Sequence, residues 1–186
     1  MPTPARTSIE GIVAAGRRAL AKDGLESLTM QRVAQEVGVR APSLYKHVRN
    51  RAELVRLVIE DVLRDLAVTL EGAATTGDPP HDLRALARAF RRFAHQNPNA
   101  YGLLFSRVPQ EFAPDSRLLE TASAPMMRTA TALAGPQRAL PAARTITAWA
   151  TGFVRMELAG GFQLGGDVDE AFEYGIDRLA EALSGS

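Results

Sequence analysis

Apolar residues recur every three or four positions along almost the whole chain, which is the spacing of one face of an α-helix. Ile9, Val13 and Leu20 show this spacing near the start, and Phe172 and Ile176 show it near the end. No segment has the alternating pattern of a half-buried strand, and no internal repeat or low-complexity tract is visible. The sequence therefore predicts an all-α fold.

Local signals predict where several helices begin and end. Thr29 is a suitable N-cap for a second helix, and Gly38 a suitable residue to end it. Pro42 fits the first position of a third, very short helix, because the missing N–H needs no partner there. Asn50 and Glu53 have the spacing of a capping box before a long fourth helix. The turn formers of "TTGDPPHD" at 75–82 predict a linker after that helix.

Composition excludes several classes of site. The chain of 186 residues contains no Cys, so disulfides, thiolate metal sites and Cys nucleophiles are excluded. The first residues lack the apolar stretch of a signal peptide, and no run approaches the ~20 apolar residues that a membrane span needs. We expect a soluble cytoplasmic protein that does not contact a membrane.

Basic residues concentrate in one short part of the chain. Residues 29–51 carry five Lys or Arg and one Glu, whereas the whole chain has a formal net charge of +1. A local basic patch on a nearly neutral protein suits contact with a polyanion such as nucleic acid. A basic surface that only faces solvent would give the same pattern.

The third helix lies in the stretch "GVRAPSLYKHVRNR" at 38–51 and is too short to be stable alone. Leu44 and Val48, one turn apart, can bury one face, so the opposite face presents polar and basic groups. Such groups suit a major groove, where Lys, Tyr and Ser reach phosphates and Arg40 can bind guanine through two hydrogen bonds. Two helices joined by a glycine turn predict a helix-turn-helix, although an ordinary helical hairpin has the same features.

The stretch "GLESLTMQRVAQEVGVRAPSLYKHVRNRAELVRLV" resembles the DNA-binding region of the tetracycline-repressor (TetR) family of transcription regulators. The resemblance covers about residues 8–66. It implies an all-α homodimer with an N-terminal three-helix helix-turn-helix domain at 6–66 that binds double-stranded operator DNA. It also implies a helical ligand-binding and dimerisation bundle at 67–186. Most members of the family are repressors.

Family roles transfer to individual positions of this chain. The third helix corresponds to Arg40–His47, Thr29 and Gln31 match positions that meet phosphate and base, and Arg51 matches a basic residue that touches the DNA backbone. Lys46 stands where relatives often have an aromatic residue, so base preference does not transfer. The expected DNA-binding residues are Thr29, Gln31, Arg40, Ala41, Pro42, Ser43, Tyr45, Lys46, His47 and Arg51.

The second half resembles a TetR C-terminal type named for a Trp-His-Gly signature. In "AWATGF" this chain has Trp149 and Gly152, with Thr151 where the His would be. The resemblance assigns the last two long helices to a dimer interface. The stretch 143–160 is apolar on two faces, which suits either a dimer contact or a central helix of a monomer. The expected interface residues are Val154, Leu158, Phe172, Ile176, Leu179 and Leu183.

Bulky apolar side chains gather in the second half and predict a cavity for a small apolar effector, although each of them could equally belong to an ordinary core. We expect this cavity to bind the effector, whose identity the sequence does not indicate. We expect no cofactor. The candidate lining residues are Phe90, Phe93, Tyr101, Leu104, Phe105, Met126, Met127, Trp149, Phe153 and Met156.

The sequence offers little support for an enzyme or a metal site. His47, His81 and His95 lie far apart without metal-ligand spacing, and no nucleophile motif is present. We therefore predict a ligand-responsive, homodimeric repressor that binds an inverted-repeat operator. A helical protein-interaction module without operator binding is the alternative.

Overall fold

The computed structural model describes residues 8–184, which form nine α-helices and two 3-10 turns and contain no β-strand. The turns are Leu25–Ser27 and Gln110–Phe112. This confirms the predicted all-α fold; residues 6 and 7 of the predicted first domain lie outside the described range. The helices are α1 (Ile9–Asp23), α2 (Met30–Val37), α3 (Ala41–Leu44), α4 (Arg51–Glu71), α5 (Pro79–Gln96), α6 (Pro98–Leu104), α7 (Ser116–Ala134), α8 (Ala139–Leu158) and α9 (Val168–Ser184).

The described residues form two compact units that are not continuous in sequence. The first contains the chain up to Arg64 together with Asn97–Leu119, and the second contains Asp65–Gln96 and the chain from Glu120 onward. The predicted domains, 6–66 and 67–186, divide the chain once, whereas these units divide it three times, because α6 packs against α1 and belongs to the first unit.

Most predicted helix ends have the expected local chemistry. The Thr29 hydroxyl accepts a hydrogen bond from the Arg32 N–H at 3.1 Å. The Asn50 side chain accepts one from the Glu53 N–H at 2.9 Å, but the Glu53 carboxylate turns to the Arg49 N–H instead of completing a capping box. The linker covers residues 72–78 and lies earlier than the predicted 75–82, because α4 ends at Glu71 and α5 begins at Pro79, where a helix tolerates proline.

The core of the first unit depends on a close approach of α1 and α4. A β-carbon at Gly16 would lie 2.7 Å from Cγ2 of Val58, so glycine is needed for these helices to pack at this distance. Apolar side chains from α1, α2, α3 and α4 fill the space around this contact. The fully buried ones include Ile12, Leu20, Leu28, Val33, Leu44, Val48, Leu54 and Val58.

The core of the second unit contains three residues that we had assigned to a dimer interface. Phe172 and Ile176 of α9 pack in one buried cluster with Leu83 of α5 and Ile146 of α8. Val154 is also fully buried. The interface prediction is wrong for Val154, Phe172 and Ile176, because the chain's own helices cover them and leave no surface for a partner.

Ion pairs tie α5 to α9 in an antiparallel arrangement. Arg84 pairs with Asp177 at 2.5 Å and Arg88 with Glu173 at 2.6 Å. Arg91 pairs with Asp169 at 2.6 Å and also donates to Glu157 of α8. Because most of these side chains are partly exposed, each pair between α5 and α9 contributes little stability, about 0–1 kcal/mol, but together they fix the register of the two helices.

Candidate nucleic-acid interface

Residues 29–48 form two short helices around a tight turn. The Gly38 N–H donates to the Gln35 carbonyl at 3.1 Å, and the Val39 N–H donates to the Ala34 carbonyl at 2.9 Å. Gly38 has φ of +77°, in the left-handed region that glycine enters without steric cost. The turn therefore ends α2 at Val37, and α3 begins at Ala41.

Two buried side chains hold α3 in place. Leu44 and Val48 are both fully buried in the first unit. The Leu44 carbonyl accepts hydrogen bonds from the His47 and Val48 N–H groups at 2.8 and 2.9 Å, which continues the helix as a turn. Regular helix covers only Ala41–Leu44, so Pro42 occupies the second helical position instead of the predicted first. Tertiary packing, not helix propensity, fixes this segment.

The other face of the segment carries polar groups that are free to bind a partner. Tyr45 is 55% exposed, and Lys46 and His47 beside it are also exposed. Gln31, at the start of α2, and Arg40, directly before α3, are exposed as well. None of these five has a hydrogen bond or ion pair from its side chain to another described residue. Phosphate oxygens and the edges of bases are the groups that such side chains bind in a major groove.

Pairing within the chain separates the basic residues of 29–51 into two groups. Arg32 lies 3.6 Å from Asp23 and 3.4 Å from Glu36, and Arg49 pairs with Glu53 at 3.1 Å. Arg51 donates to backbone carbonyls. Arg40 and Lys46 have no such partner within the described range and are thus the cations most available to phosphate.

Arg51 does not point its donors outward as the family resemblance implies. Its Nε donates to the Leu28 carbonyl at 2.7 Å, and one terminal nitrogen donates to the Leu25 carbonyl at 3.1 Å. Its guanidinium carbon also lies 5.8 Å from the centre of the Phe112 ring. These contacts engage one edge of the half-buried guanidinium within the first unit, a structural role that the family resemblance does not imply.

Arg49 is a candidate phosphate contact that sequence reasoning did not assign. Its side chain is 82% exposed, and the Glu53 carboxylate holds it by accepting from both Nε and a terminal nitrogen, at 3.1 and 3.2 Å. The hydrogen bond from Arg49 lowers the pKa of Glu53 below its usual value. The remaining terminal nitrogen is available to a further anion. The two arginines that follow α3, Arg49 and Arg51, were the signal in the sequence for a phosphate contact here.

The other predicted contact residues are small or partly covered. Pro42 is exposed, whereas Ala41 and Ser43 are half-buried. The Thr29 hydroxyl oxygen caps α2, and its hydrogen remains available for donation. Small residues at the start of α3 allow the backbone to approach a groove closely.

Six of the predicted ligand-binding residues lie inside or at the edge of the second unit. Trp149 and Phe153 contact each other, with ring centres 5.7 Å apart, and both contact Phe172 at 5.2 Å. Met126 packs against the same cluster. The six are Phe90 and Phe93, which are buried, and Met126, Met127, Trp149 and Phe153, which are half-buried.

The remaining four predicted ligand-binding residues lie in the first unit or at the surface of the second. Tyr101, Leu104 and Phe105 belong to the first unit, where the Tyr101 and Phe105 rings are 5.0 Å apart. Met156 belongs to the second unit and is 50% exposed, so it lies at the surface of that unit. A groove of about 560 Å³ between α1 and α4 contains none of the ten.

The described residues contain neither a metal-binding cluster nor a membrane-spanning helix. No group of His, Asp and Glu within residues 8–184 is arranged to hold a metal ion. Among the same residues, no helix is both long enough and apolar enough to cross a membrane.

The fold and this face define a helix-turn-helix protein. Residues 12–58 match the family described as bacterial regulatory proteins, tetR family, and residues 83–179 match the tetracyclin repressor-like C-terminal domain. The chain belongs to the TetR family of transcriptional regulators. Because this family consists of regulators and not of enzymes, the prediction of a non-enzymatic protein is confirmed.

Two curated relatives are HTH-type transcriptional regulators of Mycobacterium tuberculosis. One is 38% identical over 118 residues, which cover 61% of this chain and 50% of the relative. The other is 30% identical over 187 residues, which cover 97% of this chain and 83% of the relative. The chain thus spans about half the length of the first relative and most of the second.

Two solved structures share the fold over nearly the whole chain. A protein of unknown function from Rhodococcus sp. RHA1 has a TM-score of 0.81 and 26% identity, covering 98% of this chain and 99% of that one. A TetR variant from Acinetobacter baumannii, in complex with minocycline, has a TM-score of 0.68 and 22% identity, covering 95% and 96%. The second likeness concerns the fold alone.

Proposed function

We propose that this chain is a homodimeric transcriptional repressor that binds an inverted-repeat operator through α2 and α3 and is released by a small apolar molecule. The observation that carries the proposal is the free basic and polar face of the helix-turn-helix. Buried Leu44 and Val48 support this face, and Arg40 and Lys46 on it have no carboxylate partner among the described residues. The cytoplasm, where bacterial operator DNA lies, is the proposed location.

In this proposal the exposed groups divide into two roles. Lys46, Arg49 and Tyr45 bind phosphates, which supplies affinity and positions the protein without reading sequence. Arg40 reads a base, because its guanidinium can donate two hydrogen bonds to guanine in the major groove. Gln31, at the start of α2, and His47 contribute further phosphate or base contacts.

A homodimer would present two identical copies of this face. The stripe of α8 formed by Thr145, Ala148, Gly152 and Met156 is exposed and mostly small, which lets a second helix approach closely. We assign the dimer contact to this stripe together with Leu158, Leu179 and Leu183, which keep some exposed surface. Two-fold symmetry then requires an operator with two inverted half-sites.

The effector in this proposal binds among the apolar side chains of the second unit. Phe90, Phe93, Met126, Trp149 and Phe153 supply aromatic and flexible apolar surface, and the minocycline-bound relative with the same fold supports a ligand in such a bundle. Because α4 contains residues of both units, it connects this region covalently to the helix-turn-helix. A ligand that prefers the arrangement unable to bind DNA would weaken operator binding, by roughly 5- to 150-fold for a typical coupling of 1–3 kcal/mol.

The experiment that tests the proposal is selection of DNA from the protein's own genome. The purified full chain is incubated with genomic fragments at low salt, and the retained fragments are sequenced and footprinted. We expect a small set of sites that share an inverted repeat, with affinity that falls steeply as salt rises. A chain that retains no fragment, or that retains all fragments alike, would instead favour the protein-interaction module.

A further inference from the structure

Arg51 joins three separate segments of the first unit. It is the first residue of α4, and it donates to the Leu28 carbonyl at 2.7 Å and to the Leu25 carbonyl at 3.1 Å. Its guanidinium carbon lies over the ring of Phe112, 5.8 Å from the ring centre. Phe112 belongs to the Gln110–Phe112 turn between α6 and α7 and is buried.

The two carbonyls that accept hydrogen bonds from Arg51 come just before the candidate DNA-binding residues in the sequence. They belong to the 3-10 turn Leu25–Ser27 and to Leu28, the residue that precedes Thr29. The Thr29 N–H donates to the Ser27 carbonyl at 2.8 Å, and the Thr29 hydroxyl accepts from the Arg32 N–H at 3.1 Å. The position of this turn therefore sets the position of Thr29 and of the start of α2.

Only an arginine can make this set of contacts. The planar guanidinium carries donors in a fixed fork that reaches two carbonyl oxygens, and its flat face can lie against an aromatic ring. A lysine at this position would keep the charge but has a single flexible ammonium group. A positive charge alone is therefore not enough to hold both carbonyls and the Phe112 ring in this arrangement.

We infer that Arg51 and Phe112 are positioning residues of the operator-binding surface, with Arg51 holding the Leu25–Thr29 turn and Phe112 holding Arg51. In this role Arg51 acts through Thr29 and α2 and does not bind a phosphate itself. The inference rests on the proposed operator binding. It also assigns a role in DNA binding to Phe112, which lies outside the segment 12–58 matched by the DNA-binding family.

Conservative variants separate positioning from phosphate contact. Arg51→Lys keeps the charge, and Phe112→Leu keeps the apolar bulk without the aromatic face. Gln110→Ala, an exposed change in the same 3-10 turn, is the matched control. Affinity for an operator fragment retained by the wild-type chain is measured between 50 and 200 mM salt, roughly the range over which phosphate contacts are resolved.

We expect Arg51→Lys, which loses the forked hydrogen bonds to two carbonyls, and Phe112→Leu, which loses the cation–π contact, each to weaken operator binding about tenfold at every salt concentration. The salt slope should stay that of the wild type, and the double variant should bind no more weakly than the weaker single variant. Gln110→Ala should bind like the wild type. Wild-type binding by Phe112→Leu would overturn the inference. A further variant, Arg51→Ala, removes the charge, and a salt slope reduced by about 0.9 in it, as for a lost phosphate contact, would also overturn the inference.

A measurement without DNA distinguishes failure of this inference from failure of the proposed function. Hydrogen exchange of the Arg32 amide reports the Thr29 cap directly, because that N–H donates to the Thr29 hydroxyl. It should become faster in Arg51→Lys and Phe112→Leu and stay unchanged in Gln110→Ala, while far-UV circular dichroism shows that all three remain folded. Unchanged exchange in both variants would refute the positioning role even if the wild-type chain binds its operator. A wild-type chain that binds no DNA would refute the proposed function instead.

Discussion

The indole ring of Trp149 on α8 occupies the space where a side chain at Gly175 on α9 would lie. A β-carbon built at Gly175 would overlap Cζ2 of the ring and come within 2.9 Å of Cε2. Trp149 also contacts Phe153 and Phe172, so the ring is held by its neighbours and cannot move aside freely. The absence of a side chain at 175 therefore sets how closely α8 and α9 pack.

Gly175→Ala should lower the free energy of unfolding by about 1–3 kcal/mol, because overpacking outweighs the helix propensity gained. Urea unfolding can be followed through Trp149, the single tryptophan of the chain. Gly102→Ala on α6 is the control, since a β-carbon there meets no atom within 4 Å. Equal stability of the two variants would show that the ring adjusts without cost.

Lys46→Ala should weaken binding to specific and non-specific DNA alike and reduce the salt slope by about 0.9, the contribution of one phosphate contact. Arg92→Ala removes an exposed cation of the second unit that has no ion pair among the described residues, and it should leave the slope unchanged. Fluorescence anisotropy of a labelled operator at several salt concentrations measures both. An unchanged slope for Lys46→Ala would remove Lys46 from the DNA surface.

Arg40→Ala should act on sequence preference more than on overall affinity. Loss of a bidentate contact to guanine costs about 1–3 kcal/mol of discrimination at one base pair of each half-site. Binding to a set of operators with single base changes would show this as one position that becomes tolerant. Preference retained at every position would assign base reading to other residues, such as Gln31.

Stability should depend on pH through Glu157. Hydrogen bonds from Arg91 and, to a smaller extent, from His95 hold the pKa of this carboxyl below its usual value. A lowered pKa in the folded chain stabilises it at pH values above the unfolded pKa, and this stabilisation is lost as pH falls through the folded pKa. Glu157→Gln should cost about 1–2 kcal/mol at pH 7, with a difference from wild type that shrinks under acid conditions.

Chemical denaturation at pH 7, 5 and 3 measures this difference. Glu170→Gln, which changes an exposed carboxylate at the start of α9, is the control and should alter stability little at each pH. A difference between wild type and Glu157→Gln that stayed constant from pH 7 to 3 would contradict the assigned ion pair.

Gly152→Arg should convert the proposed dimer to monomers, because it places a long charged side chain in the middle of the exposed α8 stripe. Gly152 has open space around it within the chain, so the substitution should not disturb the fold. Gly102→Arg is an equivalent change on α6. Sedimentation velocity should show a smaller species for Gly152→Arg alone; a dimer in both variants would place the interface elsewhere.

Local chemistry made much of the fold predictable. The cap at Thr29, the left-handed turn at Gly38 and the cap at Asn50 depend on residues at most five positions apart, and each was evident in the sequence. The same is true of the exposed face around Lys46, because helical spacing alone places Leu44 and Val48 on the opposite side.

Contacts between distant residues were not predictable in the same way. Periodicity showed that Phe172 and Ile176 are on an apolar face, but not that the chain's own α5 and α8 cover it. The inward turn of Arg51 depends on carbonyls before α2 and on a ring after α6, and neither leaves a periodic signal. Family position suggested a phosphate contact at Arg51, and only the packing shows its inward hydrogen bonds.

The discontinuous first unit limits how this chain could exchange parts with its relatives. Residues 97–119 supply Phe112 to Arg51 and Asn99 to the Ala21 carbonyl, so they belong with α1–α4 although the whole of α5 intervenes in sequence. A recombination breakpoint placed after α4 would join α1 and Arg51 to foreign residues at both contacts. The first unit of this protein is therefore encoded by two separate segments of the gene, and both segments must come from the same parent.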